Sequence, residues 1–352
     1  MNFGKYRKAI LEGLFVVLVF GFTIYGVFHG EDLSKLLVVL KDSNKGYIAL
    51  GCILVVLYIY SESAIIHYLL NSIKVRFTRW TCFLLSSVGF FFSCITPSAS
   101  GGQPMQIYYM KKKNMPIPTS TLIMMIITIA YKLVLVIVGI GIAIFGQSMI
   151  MEYIQSYRWI FYLGIVLNAG LVSIMLMLVF NTALARKLAH LGFGILAKLR
   201  LIKHTPKRIE KLEKSMGLYG EVASYLKQNK IIFVNVMLLT LVQRFLLFSI
   251  TFFMYKALGL SGGSAIIIIL LQASISIAVD MLPLPGGMGI SEQLFNVFFV
   301  SIFGTEFVLP GLVLSRGISY YIQLILSAVM TMVAQLTLSK GKDNLPSSTS
   351  EV

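Results

Sequence analysis

The sequence predicts an all-α polytopic membrane protein: about six full spans plus two broken or re-entrant helical hairpins, arranged as an inverted repeat, with both termini cytoplasmic. Three observations predict it. Hydrophobic residues make up 57% of the 352 and charged residues only 12%, against about 25% charged in a soluble domain. Apolar runs at about 9–29, 46–70, 119–146, 157–180, 231–258 and 311–338 each meet the ~20 residues a span needs. Two further apolar stretches, 80–110 and 264–303, are interrupted by proline and glycine.

The first run follows Lys5, Arg7 and Lys8 and exceeds a signal-peptide core without a small-residue cleavage pattern, so it reads as an uncleaved span. Basic residues then set the orientation. One side collects Lys5/Arg7/Lys8, Lys74/Arg76/Arg79, Lys111–Lys113, eleven residues in 183–230, and Lys340/Lys342, 22 in all; the other holds Lys35, Lys41, Lys45, Arg158 and Lys256. The richer side is expected to be cytoplasmic. Parity alone does not separate a re-entrant hairpin from two short spans.

Residues 9–146 read span, span, broken hairpin, span, and 157–338 repeat that order from the opposite face. We therefore expect a single integral membrane domain, 1–338, of two inverted halves, followed by a short polar cytoplasmic tail, 339–352. Inverted repeats with broken helices are typical of secondary transporters, and the breaks point to the site.

The breaks are Thr96–Pro104 (TPSASGGQP) and Asp280–Glu292 (DMLPLPGGMGISE). Irregular backbone survives in a bilayer only when buried in protein or lining a wet cavity. Helix is expected to resume at Ser291 and near Pro104, and a helix N-terminus attracts anions. The candidate tip residues are Gly286, Gly287 and Gly289 in the second break, and Ser98, Gly101, Gly102 and Gln103 in the first.

Lys132, Arg244 and Arg316 lie inside predicted spans, matched by Glu62, Asp280 and Glu292. A charge at the bilayer centre costs at least ~2.5–3.5 kcal/mol, so these six must pair or line a polar cavity. One reading is three ion pairs that fix helix packing. The other is a headgroup cavity in which Arg244 and Arg316 hold phosphate, since the guanidinium donates bidentately, while Glu62, Asp280 and Glu292 hold an amine or balance the arginines.

The loop 183–230 carries +8, half of the chain's +16. Leu184, Leu188, Leu191, Ile195, Leu199 and Ile202 form one apolar stripe, and Ile209, Leu212, Met216, Tyr219 and Leu226 a second after Pro206. Two amphipathic helices at an anionic cytoplasmic leaflet are expected. The competing partner for a basic patch is nucleic acid, disfavoured because the loop is tethered at the membrane and lacks an RNA-binding motif.

Cys52, Cys82 and Cys94 fall in apolar segments and the four histidines are scattered, so neither a disulfide framework, a metal site nor another cofactor is suggested. The sequence contains no GxSxG, HExxH, Walker or dinucleotide motif. A transporter-type protein rather than an enzyme is expected.

TPSASGGQP followed by YYMKKKNMP, and LPLPGGMGISE with its PxPGGxGxxE pattern (Pro283, Pro285, Gly286, Gly287, Gly289, Glu292), resemble the membrane region of the bacterial lysylphosphatidylglycerol synthase family over nearly the whole chain. That region also occurs as a free-standing membrane protein. The resemblance implies a multi-pass protein of the bacterial plasma membrane. In full-length members a soluble C-terminal domain transfers an amino acid from aminoacyl-tRNA to phosphatidylglycerol, the membrane part is regarded as the flippase for the product, and resistance to cationic antimicrobial peptides follows. The chain ends at Val352 without a transferase domain, so the resemblance implies the translocation half: a lipid flippase for a phospholipid such as aminoacylated phosphatidylglycerol. The alternatives are the membrane subunit of a phosphatidylglycerol lysyltransferase or other lipid-modifying transferase whose catalytic domain is a separate soluble chain, and a structural or regulatory membrane protein. A homo-oligomer is compatible with each.

Overall fold

The computed structural model describes residues 33–146, 149–198 and 205–338. The predicted first span with Lys5, Arg7 and Lys8, the tail 339–352, and Leu199 and Ile202 of the loop stripe lie outside the described residues. Twelve α-helices are described: α1 Leu33–Asp42, α2 Lys45–Ser72, α3 Arg79–Ile95, α4 Gly102–Lys112, α5 Ile117–Phe145, α6 Arg158–Phe180, α7 Thr182–Lys198, α8 Pro206–Gln228, α9 Lys230–Ala257, α10 Ala265–Val279, α11 Ile290–Arg316 and α12 Gln323–Thr337. A π-helical turn, Gly317–Ile322, joins the last two. No strand occurs among the described residues.

Local chemistry sets the boundaries. The Asn44 side chain accepts from the Gly46 N–H at 2.9 Å and starts α2, and the Thr78 hydroxyl accepts from the Thr81 N–H at 3.1 Å and starts α3. Helix α2 ends with Lys74 left-handed (φ 61°), and Val75 N–H reaches back to the Leu70 carbonyl at 2.9 Å, which satisfies a carbonyl the helix would leave bare. Helix α4 closes the same way at Asn114. Gly304 (φ 77°, ψ 162°) breaks the helical path inside α11. Helix after it runs from Thr305, six residues before the start predicted from hydropathy.

Among the described residues five helical segments are long and apolar enough to cross a membrane: α2, α5, α6 with the short turn before it, α9, and the segment from Ile290 to Thr337. At 17 and 15 residues, α3 and α10 fall short of that length. Each leads into a turn, and α4 or the first part of α11 runs back. Helices α2 and α9 share the most extensive contact; α3 packs on α2 and α12, and α10 on α6 and α9. Close approach is permitted by small residues: a Cβ on Gly164 of α6 would meet the α10 backbone at Ile277.

The apolar core falls into two large clusters. One gathers the Ile65–Leu70 end of α2 with Leu84, Met110 and Leu122. The other gathers Leu135, Phe161, Phe248 and the aromatic set Phe295, Phe299 and Phe303. Helix α8 turns its apolar stripe onto the first of these, with Tyr219 and Ala223 buried. Tyr219 is buried and Ile209, Leu212 and Met216 are half-buried, so part of the second loop stripe is spent on packing within the protein.

Candidate functional site

The two hairpin tips meet. Pro97 and Pro285 lie antiparallel in an isolated bridge, and the Ser98 hydroxyl donates to the Leu282 carbonyl at 3.0 Å. Tyr320, from the π-helical turn, donates to the Cys94 carbonyl at 2.9 Å and ties the first tip down from the side.

Charge organises the second tip. Lys132 pairs with Asp280, which also accepts from the Tyr131 hydroxyl. Arg316 Nε donates to Glu292 at 2.8 Å and its Nη2 to the Gly286 carbonyl at 3.0 Å. Glu292 accepts from the Gly289 N–H at 2.7 Å and from the Ser291 hydroxyl at 2.9 Å. The N-terminus of α11 is thus occupied by the chain's own carboxylate, three residues along. Gly286, Gly287 and Gly289 all have positive φ, which glycine adopts without a Cβ penalty. A Cβ on Gly286 would run into the Tyr320 ring.

Hydroxyls organise the first tip. Thr96 Oγ1 donates to the Phe92 carbonyl at 2.6 Å and accepts from the Gly101 N–H at 2.9 Å. Ser98 and Ala99 are left-handed, with φ of 51° and 53°, a conformation that costs roughly 1–2 kcal/mol for a residue with a Cβ. Helix resumes at Gly102, and Pro104 is accepted in its first turn, where the missing N–H is not needed.

Between the tips and the middle of α2, α5 and α9 is a cavity of about 250 Å³. That is below the ~300–1,000 Å³ of a pocket for a drug-sized ligand, so a whole lipid does not fit inside it. Its wall is polar for a membrane interior. Gln106 donates to Glu62 at 3.0 Å, Gln103 to Thr128 at 3.3 Å, and Thr251 to Gln272 at 2.9 Å.

Arg244 stands apart from the other embedded cations. It is 8% exposed and lines the cavity, yet among the described residues no carboxylate lies within ion-pair distance of it. Its guanidinium lies 4.0 Å from the centre of the Tyr131 ring and 5.1 Å from that of Tyr58. One nitrogen donates to Gln243 at 3.3 Å, and Nε has no partner. Aromatic faces are worth about 2 kcal/mol to a desolvated cation and leave its charge in place. Glu62 likewise forms no ion pair among the described residues. The cavity therefore holds a cation and a carboxylate, Arg244 and Glu62, that share it without forming an ion pair.

A family model described as the lysylphosphatidylglycerol synthase TM region matches residues 9–327. The chain belongs to that family. The match spans both tips and every embedded charge. No curated protein matches the chain.

In this family member the cavity takes eight of the thirteen residues proposed from sequence: Glu62, Ser98, Gln103, Arg244, Asp280, Gly286, Gly287 and Arg316. The other five do not line it. Lys132 and Glu292 stand behind Asp280 and Arg316 as their ion-pair partners. Gly289 caps α11 on Glu292. Gly101 and Gly102 close the first hairpin, where a Cβ would meet the Thr96 side chain or the Gly89 carbonyl. Of three supposed ion pairs two exist, and Glu62 and Arg244 do not form the third. The cavity also takes Tyr58, Tyr131, Gln106, Gln243, Gln272 and Tyr320, which the charge and break patterns of the sequence do not mark. The signal for the amides was present, since glutamine inside an apolar span is rare; tyrosine carries no such mark. Among the described residues no three His, Cys, Asp or Glu converge as a metal site.

Proposed function

We propose that the chain is a lipid translocase that takes a phospholipid headgroup into the cavity between the two tips. Arg244 receives the phosphate and Glu62 faces the amine of an aminoacylated headgroup, while the acyl chains stay in lipid. Asp280, Glu292, Lys132 and Arg316 hold the second tip in shape. Membership of the lysylphosphatidylglycerol synthase TM region family makes an aminoacylated phosphatidylglycerol the first substrate to test. Delivery of that cationic lipid to the outer leaflet of a bacterial plasma membrane would blunt cationic peptides.

The observation that carries this reading is Arg244. A membrane-embedded guanidinium with no carboxylate in ion-pair contact, with a donor unused and a cavity beside it, is costly unless an anion visits it. The test is translocation of fluorescent phosphatidylglycerol in proteoliposomes, read by access of an impermeant reductant. Arg244→Gln is expected to abolish protein-dependent translocation and Arg244→Lys to retain part of it, since the ammonium keeps the charge but not the fork. Wild-type rates in a folded Arg244→Gln variant would refute the assignment.

A further inference from the structure

The two loop helices carry the same kind of apolar stripe, and only one of them uses it inside the protein. On α8, Met216, Tyr219 and Ala223 pack into the bundle core. On α7, Leu188, Leu191 and Ile195 are 46%, 59% and 50% exposed. The rotation of α7 is set by its opposite face: Arg186 and His190, one turn apart, both reach Glu213 of α8, at 3.5 Å and 2.5 Å. Helical spacing then turns the leucine stripe away from α8.

We propose that α7 is an in-plane anchor whose Leu188, Leu191 and Ile195 face sinks into the boundary of an anionic phospholipid leaflet. Helix α6 ends at Phe180 and α7 begins at Thr182, with the Asn181 side chain accepting from the Leu184 N–H at 2.9 Å to make the corner. The exposed face of α6 ends in Ile174, Met177 and Phe180, so the α7 stripe continues a surface that already belongs to lipid. Lys187 and Lys198 are exposed and, by helical spacing, lie along one flank of the stripe, where their ammonium groups reach lipid phosphates while their stems cover apolar surface. The loop's excess of +8 selects a negative leaflet. Three side chains are too small a patch for a stable dimer, which needs about 1,200 Å² or more.

The test uses the full chain in liposomes of phosphatidylcholine with or without phosphatidylglycerol. An environment-sensitive fluorophore is placed at Leu191→Cys and, for comparison, at Ser224→Cys on the exposed side of α8, in a background without Cys52, Cys82 and Cys94. The label at 191 is expected to be quenched by brominated lipid and several-fold less than the label at 224 by aqueous iodide. Phosphatidylglycerol should deepen this contrast, and Lys187→Gln with Lys198→Gln should remove the deepening. Iodide quenching at 191 equal to that at 224 would overturn the proposal. So would protection from both quenchers, which would assign the face to a second protein, and so would indifference to phosphatidylglycerol.

Discussion

The second tip, Asp280–Gly289, is held by charge, whereas the first, Thr96–Gly101, is held by hydroxyls. Two buried ion pairs, Lys132–Asp280 and Arg316–Glu292, clamp the second tip to α5 and to the segment before the π-helical turn. Five neutral side-chain bonds, made by Ser93, Thr96, Ser98 and Tyr320, hold the first. A neutral hydrogen bond contributes about 1 kcal/mol net; removing one partner of a buried pair costs about 3–5 kcal/mol. The first tip also carries two left-handed residues with side chains, while the second meets its positive φ values with glycine alone. The difference separates a fixed wall from a wall that gives. If a headgroup is to enter between the tips, the Ser98 side of the seam is the cheaper one to part.

The sharpest way to break this comparison is to unpair the second tip. Glu292→Gln or Asp280→Asn is expected to cost about 3–5 kcal/mol and to collapse the monodisperse peak of the detergent-solubilised protein on heating. Arg316→Met combined with Glu292→Leu should recover part of that loss, because no charge is left buried, although the Gly286 carbonyl and the Gly289 N–H lose their side-chain partners. Melting curves of the single and double variants decide it. Next in size is Gly286→Ala, at about 1–2 kcal/mol for the backbone conformation plus about 1–3 for overpacking against Tyr320, read as a lower Tm. Ser98→Ala should lower stability by only about 1 kcal/mol. The smallest effect has the opposite sign: Ala99→Gly should raise stability by about 1 kcal/mol by relieving the left-handed residue. If Ser98→Ala proved as damaging as Glu292→Gln, the contrast between the tips would fail.

Much of this was legible in the residues. The apolar runs place the described spans within a few residues, and the two proline–glycine breaks locate both tips, because those residues cannot continue a helix. What sequence could not show was rotation about helix axes. Lys132 and Asp280 are 148 positions apart, and only the facing of α5 and α10 makes them a pair rather than two cavity charges. The same facing leaves Arg244 between Tyr58 and Tyr131 instead of beside Glu62. The loop helices teach the same lesson in reverse: similar stripes on α7 and α8 meet different fates, because burial against the bundle is decided by tertiary contact and not by periodicity.

The central claim is that Arg244 is the anion-binding group of the cavity and that the other embedded cations are already spent on carboxylates. Native mass spectrometry of the purified protein, titrated with phosphatidylglycerol, tests it most directly. Wild type should retain a phospholipid that Arg244→Gln binds about tenfold or more weakly, the loss of one charge-assisted hydrogen bond being worth about 1.5–3 kcal/mol. Equal affinity in the two proteins, both folded, would contradict the account.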